Sequence, residues 1–129
     1  MKRVIGIGGI FFKAKNPKTL AKWYQEHLGV PIDESFGGYA FRWDEARERP
    51  DKGYTIWSPF KEDTDYINPS DKDYMFNFIV DDLEALMATL RTEGVEQVDE
   101  VMDSEFGKFA WIMDPEGNKV ELWEPKGEE

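Results

Sequence analysis

Apolar and polar positions change period several times along this chain, and each change marks an element boundary. Val4 to Ala14 is a continuous apolar stretch in which Ile10, Phe11 and Phe12 indicate a buried strand. Asn16-Pro17 then supplies a helix start, an Asn cap followed by Pro at the first helical position. Leu20, Tyr24 and Leu28 recur on one helical face, and Gly29 closes the helix. Tyr39, Phe41 and Trp43 alternate with Ala40 and Arg42, the period of a strand. A charged loop from Asp44 to Gly53 leads to a further strand, Tyr54 to Trp57, and a polar, turn-rich segment follows. Tyr74 to Val80 again predicts a strand. Asp81-Asp82-Leu83-Glu84 predicts a helix opened by an acidic capping box, with Leu83, Leu86 and Leu90 as its apolar stripe before Gly94. Gly107 to Met113 predicts a strand, Asp114-Pro115-Glu116-Gly117-Asn118 a tight hairpin turn, and Lys119 to Trp123 the closing strand. Val30 to Asp33 and Val98 to Met102 leave room for one more short strand in each half.

The same element order therefore occurs twice, and residues repeat with it. Phe36-Gly37-Gly38-Tyr39-Ala40-Phe41 returns as Phe106-Gly107-Lys108-Phe109-Ala110-Trp111. Leu28-Gly29-Val30 returns as Glu93-Gly94-Val95, and Ile56-Trp57-Ser58-Pro59 as Leu122-Trp123-Glu124-Pro125. Drifting offsets of this kind are what loop insertions leave after a module has been duplicated. The expected fold is α+β: two tandem βαβββ modules that pair their curved sheets around a central cavity. Module one is residues 1–59, the linker 60–73, module two 74–125, and a short tail 126–129. A lone sheet of this size leaves one face wet, which is why the modules should pair.

Composition sets the class. The 129 residues, 40% hydrophobic and 15% aromatic, suit one compact domain with material for a core. The absence of Cys removes disulfides, thiolate metal sites and a thiol nucleophile. The formal net charge of −11 disfavours nucleic acid and anionic membrane surfaces as partners and is compatible with a cationic ligand. The Gly-rich N-terminal apolar run carries no cleavage site or spanning segment, so a cytoplasmic protein is expected.

The duplicated module and the ending Asp114-Pro115-Glu116-Gly117-Asn118-Lys119-Val120-Glu121-Leu122, with the helix start Ala14-Lys15-Asn16-Pro17, resemble the vicinal oxygen chelate superfamily. That group includes glyoxalase I, extradiol dioxygenases, and fosfomycin- and bleomycin-resistance proteins. The resemblance implies a single glyoxalase/bleomycin-resistance-like domain and a divalent metal held by the first and last strands of each module. Carried across by position, those sites fall on Gly9, Thr55, Met75 and Glu121. Gly has no ligand atom, a Met thioether suits hard ions poorly and a Thr hydroxyl is weak. Three protein ligands are the usual minimum for a catalytic metal, so neither metal nor cofactor is expected. The chain's one histidine, His27, falls in the last helical turn and is expected to be a surface or interface imidazole. Asp63-Thr64-Asp65 resembles the start of a calcium loop. It lacks the required Gly and Glu, since Asn68 and Tyr74 stand there, and reads as a solvated linker.

What remains is a carboxylate among aromatics. Strand alternation sends Phe11, Lys13, Met75, Asn77, Trp123 and, by the repeat, Thr55 and Trp57 toward the face of Glu121. Tyr39, Phe41, Phe109 and Trp111 should line the same space. Glu121 could act as general acid or base, or anchor an organic cation beside the two Trp faces. The plain alternatives are an ion pair with Lys13, hydrogen bonds across the sheet, and aromatics that fill the cavity as core. No nucleophile elbow or dinucleotide spacing occurs; Gly6-Ile7-Gly8-Gly9 reads as room for a close approach. Three functions follow: a metal-independent binder of a cationic or aromatic small molecule, a lyase or isomerase using Glu121, or an interaction module with a collapsed cavity. A symmetric homodimer is the default assembly.

Overall fold

The structure is a computed structural model that describes residue 10 and residues 12–42 and 54–126. Among the described residues, two helices and one four-stranded sheet make up the regular elements.

Helix α1 runs Pro17–Leu28. The Asn16 side chain accepts from the Thr19 N–H, Pro17 opens the first turn, and Gly29 ends the helix in the left-handed conformation at φ 67°. That conformation is costly for a residue with a Cβ, which is why Gly stands there. A second cap comes from far along the chain: the Glu116 carboxylate accepts from the N–H groups of Lys15 and Asn16 at 2.7 and 3.0 Å. These bonds hold the Glu116 carboxyl below its ordinary range.

Strand β1 is Phe76–Ile79, and helix α2 is Leu83–Thr92. Asp82 caps α2 by accepting from Ala85 N–H. The reciprocal half of the expected capping box is absent, because Ala85 sits where a Glu or Gln would reach back. Glu124, 41 residues on, accepts from Leu83 N–H instead. Strands β2 (Gln97–Ser104), β3 (Gly107–Met113) and β4 (Lys119–Pro125) follow.

The sheet order is β1-β4-β3-β2, with β1 parallel to β4 and the other pairs antiparallel. The register of β2 on β3 shifts between Val98 and Met102, beside Asp99 at φ 60°. Alternation sends Ala110, Ile112, Val120 and Leu122 to one face, where they form a core with Leu83, Met87 and Leu90 of α2 and Leu20 and Tyr24 of α1. Leu86, placed in the expected α2 stripe, packs at the margin, and Met87 takes the fully buried position.

Tyr24 also fixes α1 to the hairpin turn. Its hydroxyl donates to the buried Asp114 at 2.8 Å. Asp114 accepts as well from Glu116 N–H, Asn118 N–H and Asn118 Nδ2. Burial first, and the adjacent Asp114 charge second, push the Tyr24 phenol above its ordinary value.

The elements expected between residues 74 and 125 thus form, and of those expected before residue 60 the helix does. Tyr39 to Arg42 and Tyr54 to Trp57 lie in no strand. The chain before Tyr39 closes a turn through an isolated bridge between Asp33 and Gly38. Ile56 and Trp57 are 65% and 81% exposed, so the second of these stretches buries little of the apolar surface that strand formation would require. Of the expected strand from Val4 to Ala14, Ile10 and Phe12 to Ala14 lie in no strand; its other residues, the loop 44–53, Trp43 and the tail beyond Lys126 lie outside the described residues. Among the described residues no helix is long and apolar enough to cross a membrane.

Candidate functional site

Strand β4 is paired on both sides and buried on both faces from Lys119 to Trp123. Val120 and Leu122 belong to the helix-side core, so Lys119, Glu121 and Trp123 project from the opposite face. Register then chooses their neighbours. Asn77 of β1 and Trp111 of β3 stand directly beside Glu121, one on each side.

Glu121 is 7% exposed, and its carboxylate is held by three donors. Asn77 Nδ2 donates to Oε1 at 2.6 Å, while Trp111 Nε1 and the Tyr66 hydroxyl donate to Oε2 at 2.8 and 2.5 Å. The first two come from the adjoining strands. Tyr66 comes from the turn-rich segment that precedes β1, whose Thr64 Oγ accepts the Tyr66 N–H.

Lys119 lies two residues before Glu121 and is 4% exposed. Its ammonium donates to the Tyr66 main-chain carbonyl at 2.6 Å and sits 5.4 and 5.6 Å from the ring centroids of Tyr66 and Trp111. Burial, with the Glu121 carboxylate beside it, pushes the Tyr66 phenol above its ordinary value. It therefore remains a hydrogen-bond donor throughout the neutral range.

Aromatic rings cover much of the rest of this face. Phe109 and Trp123 stack with centroids 5.9 Å apart, Tyr54 stands edge-on to Trp123 at 4.9 Å, and Trp123 Nε1 donates to the Phe106 carbonyl. Phe60 packs edge-on to Tyr66 at 5.6 Å. The outer side of the turn bounds an open depression of ≈ 580 Å³ lined by Phe60, Lys61, Asp63, Thr64, Asp65 and Tyr66.

The structure brings together Glu121, Asn77 and Trp111 of the residues expected at the site, with Trp123 next along the strand. Met75 is half-buried just before β1. Lys13 is exposed, and Glu121 is held by hydrogen bonds across the sheet rather than by an ion pair with it. Thr55 and Trp57 are exposed. Phe41 pairs with Tyr39 and lies 6.5 Å from Phe78, which packs against the helix-side core, so these two rings do not join Trp111. Phe11 and Gly9 lie outside the described residues.

Two residues at the centre carried no readable local signal. Lys119 reads in sequence as the polar start of a strand, and Tyr66 as part of a solvated linker. Its partners lie 53 and 55 residues away, and only β4 brings them into reach. His27, by contrast, lies in the last turn of α1 as expected, 3.0 Å from Glu93 between the ends of the two helices.

The donor set does not suit a divalent ion. Both Glu121 oxygens already accept from side chains, Met75 offers a thioether and Thr55 an exposed hydroxyl. Among the described residues no three His, Cys, Asp or Glu side chains converge.

A comparison with protein families finds a match over residues 9–123 to a family described as a glyoxalase-like domain. No curated protein matches the chain.

Proposed function

The chain belongs to the glyoxalase-like domain family, and on that premise we propose that it is a small-molecule-binding protein that works without a metal. The ligand, a small aromatic or cationic molecule, lies on the sheet face that carries Glu121. One observation carries this reading: a carboxylate and an ammonium are sunk into an aromatic sheet face opposite the core. Charged groups are rarely buried there unless they are needed, because apolar residues of similar size would cost no desolvation. Trp111, Trp123 and Phe109 supply the flat apolar surface, and Glu121 the polar anchor. Of the remaining expected residues, Phe11, Lys13, Thr55, Trp57 and Met75 would form the rim as the first module closes over the face, within one chain or between the copies of a homodimer.

The test is a titration of the protein with neutral aromatics and organic cations, followed by Trp fluorescence, with Glu121→Gln in parallel. Binding that survives chelator and weakens about tenfold in Glu121→Gln, a loss of about 1.4 kcal/mol, is the expected result. A stoichiometric nickel, zinc, manganese or ferrous ion retained by the protein would overturn metal independence. Failure of every compound to bind would overturn the ligand site.

A further inference from the structure

Building on that binding role, we infer that the site takes an uncharged phenol, and that the Tyr66 side chain holds the ligand's place in the free protein.

Tyr66 satisfies the sheet face as a bound molecule would. Its hydroxyl donates to Glu121, its carbonyl accepts from Lys119, and its ring stands edge-on to Trp111 with centroids 6.2 Å apart at 85°. A ligand that replaces the Tyr66 side chain must present a donor to Glu121 with a flat ring behind it against Trp111, while Lys119 stays on the main-chain carbonyl of residue 66. A phenol has that arrangement. An uncharged phenol suits the place better than one carrying a carboxylate, because the chain's net charge of −11 opposes the approach of an anion.

The attachment of Tyr66 marks it as the replaceable partner. It is 38% exposed on a turn, whereas Glu121, Lys119 and Trp111 beneath it are 7%, 4% and 7% exposed on the central strands. A side chain tethered to its own site competes at an effective concentration of order millimolar, so it weakens ligand binding without abolishing it.

The test compares 4-hydroxyphenylacetamide with phenylacetamide, which lacks the hydroxyl, by calorimetric titration of the wild type, Tyr66→Ala and Tyr66→Phe. Circular dichroism checks that each variant is folded. Tyr66→Ala should bind the phenol at least about tenfold more tightly than the wild type does. Phenylacetamide should gain less, and Glu121→Gln in the Tyr66→Ala background should remove the gain. If Tyr66→Ala does not fold, Tyr66→Phe carries the test, since it frees one acceptor on Glu121 while keeping the ring, and a gain specific to the phenol is again expected. Equal affinities in wild type and folded variant, or equal gains for both compounds, overturn the inference. Should other aromatics or organic cations bind in a Glu121-dependent way while the phenol shows no dependence on Tyr66, the inference falls and the binding role stands. If nothing binds, both fall.

Discussion

Removing one oxygen atom tests how α1 is joined to the rest of the fold. Tyr24→Phe deletes the hydroxyl that donates to Asp114 and leaves the ring against Phe78 and the core. A hydrogen bond to a charged group contributes about 1.5–3 kcal/mol. Asp114 would keep three other donors, two from main-chain N–H groups and one from Asn118 Nδ2, so its carboxylate is not stranded. The low end therefore applies, about 1.5–2 kcal/mol. At about 4 °C per kcal/mol for a domain of this size, Tm should fall by about 6–8 °C. Urea unfolding followed by Trp fluorescence measures the change, and a cycle with Asp114→Asn should return a coupling of about 1.5 kcal/mol. The pH dependence adds a second readout. The Tyr24 phenol titrates higher in the folded chain than in the unfolded one, where tyrosine loses its proton near pH 10. Its contribution is therefore complete below pH 10 and is lost as pH rises beyond it, and the loss should be shallower in Tyr24→Phe. A change under about 0.5 kcal/mol with no coupling to Asp114 would refute the reasoning.

Two further outcomes follow from particular contacts. Gly107→Ala should cost about 3 kcal/mol or more, read as a lost or strongly lowered unfolding transition. Gly107 has φ 121°, and an added Cβ would lie 2.2 Å from the Glu124 carbonyl oxygen. Glu116→Gln should lower thermal stability at neutral pH by weakening the cap on α1. The Glu116 carboxyl is held low in the fold, so its contribution is present above the unfolded value of about 4.3 and is lost as pH falls below it. Wild type and variant should therefore converge in acid, and a constant gap down to pH 2 would refute this.

What could be read from the sequence was local or periodic. The start and end of α1 were visible because Asn16, Pro17 and Gly29 act through their own backbone. Strand β3, the hairpin turn and the facing of Glu121 were visible through alternation and turn chemistry. The capping of α2 was half visible: Asp82 acts within its own turn, whereas Glu124 arrives from another strand. The strands expected near Tyr39 and Tyr54 have the right alternation, but a strand also needs a partner, and periodicity does not supply one. Tyr66 was hidden for the same reason, since nothing within a polar turn tells which buried carboxylate its hydroxyl will meet.

The order of strands across the sheet has a consequence for how the protein is made. β4, the latest of the four to be synthesised, lies between β1 and β3. Glu116 and Glu124, which complete the ends of α1 and α2, belong to the same late hairpin. On a ribosome adding about 5–20 residues per second, Glu116 emerges about 5–20 s after the Asn16 N–H it accepts from, 100 residues earlier. Until then the nascent chain carries β1 without its neighbour and two helices with their apolar stripes open. Chaperone demand during synthesis should therefore peak just before the closing hairpin appears.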